Sequence, residues 1–258
     1  VAETKLILPP AKNKLAEQIA AMMDRMTIAL HPSVSPQQFA TCLVVTVNQL
    51  DPSKVSDATS VLVSAYNCAA IGLLPGSQLG LAYFIPRKGR CNLEIGYRGF
   101  LDLAFRNDHL KSIHAECVFE GEEFDWYVDS DGPQIMHRPD PDRDPSQART
   151  LTKQVYCVYR TKAGGRGARV MTRAQINKID SREHVWFSDY YEMARKSAVR
   201  RAAKDWRVTL HMSQAMDLDE KAELGMVQHL LPGLKAEVVD TTFSLDDIPD
   251  EIPNVDED

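Results

Sequence analysis

The apolar positions of this chain follow a helical period at both ends and a strand period between. Leu15, Ile19, Met22, Met23 and Met26 predict a helix from Ala11 to about Leu30, opened by Pro9 and Pro10 and broken at His31-Pro32-Ser33. Ser35-Pro36 reads as an N-cap with proline at the first helical position and starts a helix to about Gln49. After the turn Asp51-Pro52-Ser53, a third helix runs from about Ser56 through Ala70. It stops at Gly72, where a residue without Cβ can take the left-handed conformation of a helix end.

The pattern then changes. Leu81–Pro86 and Cys91–Tyr97 predict two strands joined by Arg87-Lys88-Gly89-Arg90, a glycine-containing hairpin turn. Arg98–Arg106 has the spacing of a short helix. Further strands are predicted near Ser112–Phe119, Phe124–Val128, Thr152–Arg160 and Ala168–Thr172, the last two flanking the loop 162–167. Pro139 to Pro145 is rich in proline and aspartate and reads as a flexible excursion. Helices return at Arg173–Ser181, Ser188–Arg207 and about Gln214–Leu231, before Pro232-Gly233. From Ala236 the chain is acidic, proline-punctuated and poor in apolar residues, which predicts disorder. The fold class is therefore α+β: N-terminal helices, antiparallel β-hairpins with an inserted helix, C-terminal helices and a disordered acidic tail. The expected organisation is one domain over 1–235 and a tail over 236–258.

Composition narrows the function classes. Among 258 residues, 44% are hydrophobic and 26% charged, ordinary values for a globular protein, and no apolar run approaches the length of a bilayer span. The first residues lack the pattern of a secretory signal, so the cytoplasm is the expected compartment and no membrane partner is expected. Cys42, Cys68, Cys91, Cys117 and Cys157 are scattered and odd in number, which fits buried thiols better than a disulfide framework or a zinc site.

The net charge of −6 conceals two opposed regions. Nine acidic and no basic residues follow Lys235, which leaves 30 basic against 27 acidic residues, or +3, in the rest of the chain. Within Leu151–Arg207 the count is 14 basic against 5 acidic, or +9, and a polyanion responds to that local distribution.

Two basic features stand out. Lys196, Arg200, Lys204 and Arg207 fall on one face of a predicted helix in which only Glu192 and Asp205 are acidic nearby, so pairing within the helix leaves the row in excess. A row of cations suits the repeating phosphates of a nucleic-acid strand, although many charged faces are simply solvated. The segment from Tyr83 to Phe100 interleaves aromatic residues with Arg87, Lys88, Arg90 and Arg98, as single-strand binding requires, while Phe84 and Phe100 fit a core role better. Gly164-Gly165-Arg166-Gly167 lacks the lysine, hydroxyl residue and helix of a P-loop and reads as a turn, with contact to DNA or to a neighbouring subunit the sharper alternative. Glu116, Glu120, Glu122, Glu123 and Asp125 could suggest a metal-dependent nuclease, but their spacing fits a solvated face better. No nucleophile motif is present.

Two stretches resemble the RecT family of phage single-strand DNA annealing proteins. The first is Gly72-Leu73-Leu74-Pro75, then Gly80-Leu81-Ala82-Tyr83-Phe84-Ile85-Pro86-Arg87-Lys88-Gly89-Arg90, then Gly96-Tyr97-Arg98-Gly99-Phe100; the second is Trp186 followed by Tyr190-Tyr191-Glu192-Met193-Ala194-Arg195-Lys196-Ser197 and Arg200-Arg201. Arg195 and Ser197 stand where the family pattern has lysine and threonine. The resemblance implies an α+β core and ATP-independent binding and annealing of single-stranded DNA in recombination, by a ring or helical filament of copies in a bacterial host cell. It implies no catalytic residue, no metal and no cofactor. Lys88, Arg90, Tyr97, Arg98, Lys196, Arg200 and Arg201 become the expected DNA-binding residues. The implied partners are single-stranded DNA, the annealed duplex intermediate, other copies of the chain, a phage exonuclease and the host single-strand-binding protein. Within the tail, Leu245-Asp246-Asp247-Ile248-Pro249-Asp250 is similar to the acidic tip of bacterial single-strand-binding proteins; it suits competition for their docking pockets, folding back over basic residues, or simple solubilisation. The rival readings are an RNA-binding or replication-initiation module and a metal-dependent nuclease.

Overall fold

The computed structural model describes residues 8–12, 14–21, 23–76, 78–106, 109–180, 184–206 and 208–231. The acidic tail lies outside the described residues. The described residues fall into two compact units, one within Val1–Glu94 and Leu224–Asp258 and the other Ile95–Glu223. The α+β class is as expected.

In the first unit, α1 (Lys14–Ala21) and α2 (Met23–Ala29) fall within the helix expected from Ala11 to about Leu30. They pack on α3 (Pro36–Asn48) and α4 (Ala58–Ile71) respectively, burying Ile19, Met26, Leu43, Val47, Leu62 and Tyr66. Ser35 makes no side-chain capping bond, so the start of α3 rests on the fixed backbone of Pro36. Gly72 closes α4 in the left-handed conformation, with φ 75°.

Asp57 caps α4 through Ser60 N at 3.2 Å and also ends a short strand, β1 (Val55–Asp57), where the sequence predicts the start of the helix. β1 runs parallel to β3 (Gly89–Ile95), with β2 (Ala82–Arg87) on the other side of β3. Lys88 and Gly89 both have positive φ, 50° and 79°, the conformation of a tight hairpin whose twist matches its strands. A Cβ on Gly89 would collide with Ser56 Oγ, so the glycine also serves the close approach of β1. The predicted helix Gln214–Leu231 ends early, at Glu223, and Gly225 (φ 65°) redirects the chain. Beyond it, Gln228 accepts from Leu93 N and donates to Leu93 O, both at 2.8 Å, replacing the hydrogen bonds of a missing strand. Buried Asn67 holds the same segment through His229 O and Leu231 N, each at 2.9 Å.

The second unit is built on an antiparallel sheet in the order β4 (Leu110–Phe119), β7 (Thr152–Thr161), β8 (Arg166–Thr172). Side chains alternate between its faces. Val155, Cys157 and their β4 partners Cys117 and Ala115 face α9 (Tyr190–Ala202), which packs on all three strands. Tyr156 turns the other way, onto Phe124 and His137 of a second hairpin, β5 (Glu123–Asp129) and β6 (Gly132–Arg138). β5 matches the strand expected near Phe124–Val128, whereas β6 is not expected from the sequence, because Gly132 and Pro133 at its start are ordinary signs of a turn.

Helix α5 (Tyr97–Phe105) packs on α9 and on α10 (Leu210–Glu223), while α6 (Ala148–Leu151), α7 (Arg173–Ile179) and α8 (His184–Ser188) line the ends of the sheet and of α9. Thr172 and Gln175 form a reciprocal capping box at the start of α7. The segment 139–145, expected to be a flexible excursion, is instead pinned by Arg143, whose guanidinium reaches Cys117 O at 3.2 Å and Tyr191 Oη at 3.1 Å.

Candidate nucleic-acid interface

Helix α9 carries the densest set of predicted contacts, and tertiary packing sorts them. Lys196 is 3% exposed, with Nζ 2.8 Å from Oδ1 of Asp219, which is itself 0% exposed on α10. Arg200 binds the other carboxylate oxygen at 3.0 Å and reaches Glu223 at 2.7 Å. Ile95 N also donates to Asp219, at 2.9 Å. Burial works against the Arg200 charge, but Asp219, Glu223 and Glu220 outweigh it and raise its pKa. Of the expected row, Lys204 is exposed and Arg207 lies outside the described residues, while carboxylates from α10, remote in sequence, neutralise Lys196 and Arg200 where pairing within α9 cannot. A buried charge pair of this kind needs such extra donors to offset desolvation.

Tyr97 is likewise committed. Arg195 lies over its ring at 4.4 Å and donates to its hydroxyl at 3.1 Å, while also bonding Ala115 O at 2.8 Å and Glu192 at 3.0 Å. Tyr97, expected at the DNA, is packed under Arg195 in this geometry. Phe100 is core, with Lys196 Nζ 5.8 Å from its ring centroid, and Phe84 is also buried.

The remaining predicted residues face solvent. In the second unit, Arg98 on α5 and Arg201 on α9 are exposed and make no ion pair among the described residues. In the first unit, Lys88 projects from the hairpin turn, whereas Arg90 is held by Asp57 at 2.8 Å.

The acidic cluster is not the solvated face expected of all its members. Glu116 binds Arg143 at 2.9 Å and accepts the Tyr191 hydroxyl. Glu122 accepts from Phe119 N at 2.6 Å and Asp140 N at 3.0 Å and pairs with His137 at 3.0 Å. Burial would raise the Glu122 pKa, but these hydrogen bonds and Arg143 hold it below the ordinary carboxylate range. Glu120, Glu123 and Asp125 remain exposed, and no group of three or more potential metal ligands occurs among the described residues. Arg143 itself was not singled out from the sequence; it lies in a segment with the composition of a loop, and only packing shows what it holds.

Trp186, part of the second motif, is a structural residue. Its ring meets Tyr190 at 5.7 Å and its carbonyl accepts from Arg149 at 2.8 Å. Among the described residues, no helix is long and apolar enough to cross a membrane.

Comparison with known proteins agrees with the two motifs. The profile of the RecT family matches residues 37–228. The chain is 31% identical over 217 residues to Protein RecT of Escherichia coli (strain K12), covering 79% of this chain and 78% of that protein. It is 25% identical over 193 residues to "Uncharacterized protein YqaK" of Bacillus subtilis (strain 168), covering 72% of this chain and 65% of that protein. With most of its length matched by the family and by a relative above 30% identity, the chain belongs to the RecT family of single-strand DNA annealing proteins.

Proposed function

We propose that this protein binds single-stranded DNA as a homo-oligomer, a ring or a filament, and anneals it to a complementary strand without ATP. The observation that carries the reading is the family match over 37–228, which contains both basic motifs. Exposed cations without ion pairs support it, because a phosphate backbone is bound by charge and donors rather than by a shaped pocket. Lys88, Arg98 and Arg201 are the proposed direct contacts. Arg90 joins them if the strand competes with Asp57. Lys196, Arg200 and Tyr97 are proposed to act by holding α9 and α5 in place. The bases of the two strands select each other, so the protein needs only to neutralise and extend the backbones. A phage exonuclease and the host single-strand-binding protein are the proposed partners.

The test is annealing of two complementary labelled oligonucleotides in the absence of nucleotide, with particle size measured in parallel. Acceleration by a multimer is the expected result. Binding of structured RNA without acceleration of pairing would favour the RNA-binding reading. Magnesium-dependent cleavage that is lost in Glu120→Ala would favour the nuclease.

A further inference from the structure

We infer that the cleft between the β5–β6 hairpin and the β7–β8 strands is a second nucleic-acid site, which takes the phosphates of an incoming single DNA strand and holds it before pairing. The inference rests on the proposed function and concerns the sheet face opposite α9. The cleft measures about 150 Å³, with Pro133, Ile135 and Val158 as apolar lining and Ser112, Arg160 and Arg166 as polar lining.

Charge makes the case. Arg160 stands directly opposite Arg166 in the β7–β8 register and opposite Ser112 in the β4–β7 register, so the three form a row across the sheet. Like charges facing each other across strands destabilise a sheet. Neither arginine forms an ion pair among the described residues; Arg166 donates to the neutral amide oxygen of Gln134 at 3.1 Å, and that amide in turn reaches Asp129 at 3.1 Å. Two guanidinium forks and a hydroxyl thus share one cleft with little to balance them, and a phosphate supplies the missing charge in the geometry that arginine binds best. Trp126 pairs in register with Ile135, so both point to the same face of the hairpin, and it is 48% exposed. An exposed indole beside a phosphate site offers a base a flat partner.

The same geometry separates this site from Arg98 and Arg201. Those lie on α5 and α9; α9 covers the other face of the sheet, and a strand in the cleft cannot present its bases to one bound there. Holding it nearby raises its effective concentration instead.

The experiment saturates the full-length protein with one unlabelled oligonucleotide and then adds a labelled, non-complementary one. The wild type captures the second strand. Arg160→Ala/Arg166→Ala loses capture by about tenfold or more at low salt, through two lost phosphate contacts, and keeps first-strand affinity within about twofold. Ser112→Glu separates binding from folding: a carboxylate opposite Arg160 maintains or raises thermal stability yet repels phosphate, so capture falls. Capture unchanged in these variants overturns the site, as does a parallel loss of first-strand affinity or binding of a deoxynucleoside monophosphate without strand capture. Failure of the proposed function shows at the earlier step, as a wild type that does not bind the first strand.

Discussion

Lys196 on α9 and Asp219 on α10 form an ion pair at 2.8 Å in which both side chains are almost completely buried. A lysine whose spacing places it in a DNA-facing row is thus tied into the packing of its own unit. Asp219 also accepts from Arg200 and from Ile95 N, so one carboxylate answers two cations and a backbone donor.

Removing that carboxylate leaves Lys196 buried without its partner. Asp219→Ala is expected to cost about 3–5 kcal/mol, the usual penalty for an unpaired buried charge. Lys196→Met should cost less, because Arg200 and Ile95 N still satisfy Asp219. Urea unfolding of the two variants checks the order; equal costs would mean that the pair is not the centre of the network.

Arg98 and Arg201 make the opposite prediction. Arg98→Ala and Arg201→Ala should leave the unfolding midpoint within about 0.5 kcal/mol of the wild type, as exposed substitutions do. Each should weaken single-strand binding and lower the slope of log K against log salt by about 1. Titrations at several salt concentrations read this directly, and an unchanged slope removes the residue from the interface.

Glu122 gives the second unit an acid dependence. Its folded pKa lies below the ordinary value of 4.5, so its contribution is complete above that value and is lost as pH falls through the lower folded value. Stability of the wild type should therefore decline on acidification. Glu122→Gln should be less stable at neutral pH and should show a shallower decline, measured as denaturant midpoints from pH 7 to pH 3. An identical pH slope in the variant would show that Glu122 is not the group responsible.

Gly167 lies where β8 passes the ring of Tyr159, which packs edge-on against Trp206 at a centroid distance of 4.8 Å. A Cβ at 167 would collide with that ring, and Trp206 restricts its retreat. Gly167→Ala should destabilise by about 1–3 kcal/mol, as overpacking does, and shift the tryptophan fluorescence. Gly164→Ala, in open space but at φ 92°, tests backbone strain alone at the same hairpin.

Much of the fold could be read from local pattern. Gly72, Pro36 and the Lys88-Gly89 turn act through backbone preferences of one or two residues, so their consequences are visible in the sequence. The helices around Leu43, Leu62 and Val199 follow from apolar spacing in the same way. Strand β6 and the end of α10 at Glu223 were harder, because each depends on what a segment finds to pack against or bond with.

The RecT motifs, the +9 stretch over Leu151–Arg207 and the scattered cysteines were all fixed by the order of residues alone, since charge count and motif spacing need no third dimension. Which cations face outward was decided only by tertiary structure. Asp219 is 23 residues from Lys196, Glu116 is 75 from Tyr191, and Tyr97 is 98 from Arg195. Electrostatic pairing depends on distance in space, and the chain sets that distance only when it folds.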